Sequence, residues 1–207
     1  MYTRKEELWN AGSHGFGIIL SGLALITLML ADAGKTSFST FSIILYGITL
    51  LMVYTASTTY HLTTSEKKKN IWKKLDHISI YFLIAGTYTP LTLIMLEQGS
   101  GWFIFSIVWS ITLIGSIFKI FFTSTRDISA VLTYVIMGWL ILFDLRDVIT
   151  HTSSLGITLL FTGGAFYTLG VIFYMARKLP YHHLIWHIFV LGGSASHFFF
   201  ILLDVVR

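Results

Sequence analysis

The last apolar run of the chain reads HLIWHIFVLGGSASHFFFILLDVV over residues 183–206. At about 1.5 Å per residue, a helix of this length crosses the roughly 30 Å of hydrocarbon in a bilayer. Six earlier runs have the same character, and the fifth of the seven is the shortest. The pattern predicts an all-α protein, a bundle of seven transmembrane helices forming one domain over residues 1–207. The earlier runs lie at residues 13–31, 41–62, 75–96, 101–122, 129–145 and 155–176.

The composition is typical of a membrane-embedded chain. Of the 207 residues, 55% are hydrophobic and 12% are charged, whereas a soluble domain carries about 25% charged residues. The absence of cysteine excludes disulfides, thiolate metal ligands and a cysteine nucleophile. The net charge of +4 does not indicate nucleic-acid binding, because the basic residues lie in short loops between apolar runs. We expect membrane lipids as partners, and the sequence sets no oligomeric state.

The lysines and arginines predict the orientation of the chain. Sorting alternate loops places 11 of the 14 basic residues on one side of the membrane. Because basic residues favour cytoplasmic loops, we expect the N-terminus in the cytoplasm and the C-terminus outside. The residues on the expected cytoplasmic side are Arg4, Lys5, Lys67, Lys68, Lys69, Lys73, Lys74, Lys119, Arg126, Arg177 and Lys178.

Six of the eight histidines lie near the predicted cytoplasmic ends of the spans. His183 and His187 are four residues apart, which places them on one helix face about 6 Å apart at Cβ, where both can bind one metal ion. His61, at the end of the second span, can supply a third nitrogen. Three imidazoles with an open position are the usual plan of a catalytic zinc site, and the lack of cysteine favours imidazole-bound Zn²⁺. The six are His14, His61, His77, His182, His183 and His187.

Two other polar residues are expected beside these histidines. Asp76 opens the predicted third span at the same membrane face and can orient a water molecule or a ligating imidazole. Ser57 precedes His61 by one turn, so its hydroxyl should face the same cavity. The alternative is that the histidines only hydrogen-bond to backbone or lipid headgroups. His197 lies about 15 Å further along its helix than His187 and is expected to be a hydrogen-bonding residue of this kind.

The polar motifs follow one order along the chain: Glu7-Leu-Trp-Asn-Ala-Gly-Ser-His14, Ser57-Thr-Thr-Tyr-His61, Leu75-Asp76-His77, Gly86-Thr-Tyr-Thr-Pro90 and His183-Leu-Ile-Trp-His187. With these motifs, nearly the whole chain resembles the bacterial haemolysin III proteins, which belong with the progestin and adipoQ receptors and, more distantly, the alkaline ceramidases. The resemblance implies a seven-helix protein of the bacterial plasma membrane with a cytoplasmic N-terminus. It also implies Zn²⁺ held by His61, His183 and His187, with Asp76 and Ser57 close by.

Two functions remain open from the sequence. The first is a zinc-dependent hydrolase of lipid amides or esters, in which Asp76 acts as general base or orients water and Ser57 helps to hold water or the developing oxyanion. The second is a non-enzymatic membrane-homeostasis protein, sensor or cytolysin, in which zinc ties two helices together. The mostly apolar spans offer no polar stripe for a pore. A retinal protein is excluded, because the last span has no lysine.

Overall fold

The computed structural model describes residues 2–121 and 128–207. This part of the chain is helical and contains no strand. The helices are α1 (Arg4–Ala31), α2 (Ser39–Leu62), α3 (Glu66–Pro90), α4 (Gly101–Phe121), α5 (Ile128–Gly138), α6 (Leu145–His151), α7 (Ser154–Met175) and α8 (His182–Phe200).

These eight helices form seven spans, because short turns of other helix types extend two of the helices and join two others. A π-helical turn, Leu91–Met95, continues α3, and a second, Ile201–Val206, continues α8. A 3₁₀ turn, Leu140–Asp144, joins α5 to α6. Across the described ranges, seven helical segments are long and apolar enough to cross a membrane, which confirms the predicted seven-helix bundle. The predicted end of the fourth span at Phe122, and the basic residue Arg126, lie outside the described residues.

The distribution of exposed side chains identifies the lipid-facing surface. Large apolar residues stand outside the bundle, with Leu30 85% and Phe143 87% exposed, which is costly in water but favourable in hydrocarbon. The interior is built around α3, where Tyr81, Leu83 and Ala85 are buried. The chain is therefore a multi-pass integral membrane protein with α3 near its centre.

Two helices begin well before the apolar runs that predicted them. At the start of α1, the backbone N–H of Glu6 donates to Thr3 Oγ1 at 3.2 Å, and the N–H of Thr3 donates to Glu6 Oε2 at 2.8 Å. This reciprocal capping box starts the helix in a polar stretch. Helix α3 likewise starts at Glu66, so Asp76 does not open the helix but lies nearly three turns inside it.

Pro90 changes the helix type of the third span rather than ending the span. Proline has no N–H to donate to the preceding turn, and the chain continues in the wider π-helical turn. Two threonine hydroxyls support this region, since Thr89 donates to the carbonyl of Ala85 at 2.8 Å and Thr92 donates to that of Tyr88 at 2.9 Å. Side chains of this kind satisfy carbonyls that water cannot reach in a bilayer.

The fifth span is broken, which explains why its apolar run looked short. It runs to His151 rather than to residue 145, through the 3₁₀ turn and α6. Tyr88 of α3 repairs the break: its hydroxyl donates to the carbonyl of Gly138 at 2.9 Å and accepts from the N–H of Ile141 at 3.0 Å. A single side chain from the central helix thus satisfies both sides of the interruption.

Gly86 provides a test of the packing between α2 and α3. A Cβ at Gly86 would overlap the side chain of Thr49, whereas a Cβ at Gly12 on α1 would meet nothing within 4 Å. We expect Gly86→Ala to destabilise the protein by about 1–3 kcal/mol through overpacking. Gly12→Ala should be neutral or slightly stabilising, because alanine favours helix. Thermal unfolding in detergent measures both, and equal shifts would contradict the close approach of the two helices.

The orientation of the bundle remains a prediction, and the absence of cysteine makes it easy to test. Lys68 at the start of α3 and Lys35 between α1 and α2 are both exposed. On intact cells, a membrane-impermeant maleimide should label the variant Lys35→Cys and leave Lys68→Cys unlabelled until the membrane is permeabilised. The opposite pattern would place the N-terminus outside.

Candidate metal centre

Three buried imidazoles meet where the end of α2 approaches the start of α8. His61, His183 and His187 each offer a ring nitrogen, and these nitrogens all lie within 4.8 Å of one another. The ring centroids are 5.0 Å apart for His61 and His183, 5.2 Å for His61 and His187, and 4.5 Å for His183 and His187. The structure therefore brings together the three residues that the sequence predicted as ligands.

The cluster has buried imidazole nitrogens without hydrogen-bond partners, and such nitrogens can bind a cation. Nε2 of His61 and both ring nitrogens of His183 are buried and have no hydrogen-bond partner among the described residues. Buried polar atoms without partners are rare because burying them costs free energy. A shared metal ion would accept their lone pairs, and the donor set of three imidazoles without thiolate suits Zn²⁺.

Two of the three imidazoles are held through their other nitrogen. Nδ1 of His61 lies 2.6 Å from Oε2 of Glu7. Nδ1 of His187 lies 3.2 Å from the carbonyl oxygen of Asn10 and 3.0 Å from Oγ of Ser13. When Nδ1 carries the proton and donates it to such an acceptor, Nε2 is left with a lone pair for a metal.

Helix α1 supplies several groups around the cluster, and of these the sequence had placed only His14 near it. Glu7, Asn10 and Ser13 contact ligand imidazoles, and His14 stacks on His187 with ring centroids 3.5 Å apart. Tyr2 lies over His183, with ring centroids 5.1 Å apart. The spacing of Glu7, Asn10 and His14 along one helical face was the available signal, but it does not reveal which ligand each residue faces.

Asp76 and Ser57 line the same cavity as His183 and His187 and are not members of the candidate ligand group. The roles that the sequence suggested for them stay predictions. Asp76 is only 8% exposed, and its carboxyl lies within interaction range of the Ser57 hydroxyl. The Ser57 hydroxyl is buried and makes no hydrogen bond with acceptable geometry to any described residue. Both side chains line a cavity that His183 and His187 also line, so a ligand in this cavity can contact both of them.

An apolar cavity of about 120 Å³ extends from the histidine cluster into the bundle. Its polar end is formed by Ser57, Asp76, His183 and His187, and its walls come from α3, α5, α7 and α8. This shape and lining suit a hydrocarbon chain with its polar group at the histidines. Apolar wall residues include Ile80, Ile84, Val131, Val135, Val171 and Val190.

The remaining histidines lie outside the cluster. His197 lies deeper in the cavity wall, and its Nε2 donates to the carbonyl of Leu160 at 3.2 Å, so the predicted hydrogen-bonding role is confirmed for that nitrogen. His77 lines the cavity without joining the ligand group. His182 begins α8, and its Nδ1 lies 3.2 Å from the carbonyl of Phe173.

Seven spans enclosing a histidine cluster and an apolar cavity define a polytopic helical membrane protein with a candidate metal centre. Comparison with known proteins then shows the family. A family model described as Haemolysin-III related matches residues 2–198, and the chain belongs to this family.

Individual relatives agree with this assignment. The chain is 43% identical over 208 residues to the Hemolysin-3 homolog of Bacillus subtilis (strain 168), covering 100% of this chain and 98% of that protein. It is 42% identical over 203 residues to Hemolysin-3 of Bacillus cereus, covering 98% and 93%. The human Monocyte to macrophage differentiation factor, from the progestin and adipoQ receptor family, is 28% identical over 211 residues, covering 95% and 83%.

Proposed function

We propose that this protein is a zinc-dependent hydrolase of lipid amides or esters in the bacterial plasma membrane, with the metal held by His61, His183 and His187. The observation that carries the proposal is that His183 and His187 of the imidazole triad line an apolar cavity, while nitrogens of His61 and His183 have no partner among the described residues. A cavity with this lining accepts a hydrocarbon chain, and the triad lies where the polar end of that chain would reach.

Zinc bound at the triad supplies Lewis acidity, which polarises a carbonyl group and makes a nearby water molecule a better nucleophile. The protein's own groups perform the remaining tasks. The cavity wall aligns the acyl chain and excludes bulk water. The Asp76 carboxylate accepts the proton of the attacking water as general base and passes it to the leaving amine or alcohol as the bond between that group and the acyl carbon breaks. The Ser57 hydroxyl donates a hydrogen bond to the substrate oxygen as negative charge develops there.

A non-enzymatic role is the second candidate, favoured by where the triad lies. His61 ends α2, whereas His183 and His187 begin α8, so one ion would join two spans that are distant in the sequence. Zinc would then stabilise a sensor or a membrane-homeostasis protein without turning over a substrate. Pore formation, suggested by the names of the Bacillus relatives, is disfavoured because the cavity is walled mainly by apolar side chains.

Metal content tests the ligand assignment. We expect near-stoichiometric zinc in the purified wild-type protein and its loss in His61→Ala, His183→Ala and His187→Ala, because each substitution removes one of three ligands. His182→Ala is the matched control, since this neighbouring imidazole faces the carbonyl of Phe173 instead. Elemental analysis gives the result. Zinc that persists in one of the first three variants would remove that residue from the ligand set.

Lipid hydrolysis distinguishes the two candidate functions. Purified protein should release fatty acid from a panel of lipid amides and esters, and a chelator should stop the release. Asp76→Asn should lower the rate by about 10²- to 10⁴-fold, the usual contribution of a general base, while zinc content stays near that of the wild type. Asp147→Asn, on α6 at the opposite end of the bundle, is the control. If the zinc-loaded wild-type protein releases no more fatty acid than empty micelles do, the hydrolase proposal fails and the non-enzymatic role with a structural zinc remains.

A further inference from the structure

Helix α1 contributes no imidazole to the triad, yet its first turns hold two of the three ligands. Glu7 contacts Nδ1 of His61 at 2.6 Å, and the backbone carbonyl of Asn10 contacts Nδ1 of His187 at 3.2 Å. The two contacts differ in kind. A backbone carbonyl remains when its side chain is substituted, whereas the Glu7 carboxylate is a side chain that can be removed.

The Glu7 carboxylate is shared between the buried imidazole and a surface lysine. Its second oxygen, Oε1, accepts from Nζ of Lys69 at 2.5 Å. Side-chain exposure falls from 29% at Lys69 through 15% at Glu7 to 0% at His61. The three residues therefore form a chain from the membrane surface to the metal centre, and Lys69 neutralises the carboxylate that orients the imidazole.

This geometry determines which nitrogen of His61 faces the other ligands. Because Nδ1 is engaged by Glu7, the hydrogen bond fixes the proton there and leaves Nε2 as the donor atom. Nε2 is the nitrogen of His61 that has no protein partner. A carboxylate in this position also restricts rotation of the ring and makes the imidazole a stronger ligand.

We propose that Glu7 is the positioning residue of the metal centre and that Lys69 positions Glu7. The inference rests on the zinc site proposed above, and it names the residues that set the affinity of that site for zinc. Three helices meet in this arrangement, with the carboxylate on α1, the ligand on α2 and the lysine on α3. Docking of α1 and α3 against α2 is thereby coupled to metal binding.

The test compares adjacent glutamates in the full-length protein. Glu6 contacts Thr3 and the backbone N–H of Tyr181 and no ligand imidazole, so Glu6→Gln is the matched control. Zinc affinity is measured by competition with a chelator. Glu7→Ala should weaken binding roughly 10- to 100-fold, as is typical for the loss of such an orienting group. Glu7→Gln and Lys69→Met should weaken it less, and Glu6→Gln should match the wild type.

A second measurement separates positioning from a general loss of structure. The visible spectrum of the Co²⁺-loaded protein reports ligand geometry, and it should change in the Glu7 variants but not in Glu6→Gln. If Glu7→Ala does not fold, Glu7→Gln and Lys69→Met decide the question. Wild-type affinity and spectrum in the Glu7 variants would overturn the positioning role alone. A wild-type protein that binds no zinc would overturn the metal centre itself.

Discussion

Polar groups inside a bilayer must find partners within the protein, and this constraint shapes the whole molecule. It makes the spans helical, and it explains how the irregular places are built. Where the fifth span breaks, Tyr88 serves both sides of the interruption. Where Pro90 disturbs the third span, Thr89 and Thr92 donate to nearby carbonyls. At these two irregular places, a side chain hydrogen-bonds to backbone groups beside the irregularity.

Because of the same constraint, buried polar atoms that lack a partner in the protein point to places where a ligand can bind. Twelve buried side-chain polar atoms lack a partner within the described residues, and nine of them lie around the histidine cluster. Buried polar atoms without partners are rare in proteins, so this many in one place are not expected by chance. A metal ion at the triad, as proposed, would provide a partner for the nitrogens of His61 and His183 among them. The residues concerned are Asn10, His14, Ser57, Thr58, His61 and His183.

The sequence predicted the parts of the fold and site that have a local signature. Apolar runs give the spans, and the spacing of His183 and His187 places two imidazoles on one face. The capping box at Thr3 and Glu6 is also visible in the sequence, but the start of the first helix was placed at the apolar run that follows it. The pairing of Glu7 with His61 was not predictable, because the two residues are 54 positions apart and only the packing of α1 against α2 brings them together. Asp76 lines the same cavity as His183 and His187, although its helix begins earlier than the apolar run that was used to place it.

The tasks at the site are divided among helices. The three candidate ligands come from α2 and α8, the carboxylate at the cavity comes from α3, and the groups that contact the candidate ligands come from α1. The Tyr2 ring packs near His183, with ring centroids 5.1 Å apart, and Tyr2 does not line the cavity. On the proposed zinc site, a ligand that reached the metal through this cavity would pass mainly apolar side chains, which suits a hydrocarbon chain better than a water-soluble solute. The apolar lining is therefore the reason we propose a lipid ligand, whether the protein hydrolyses it or only senses it.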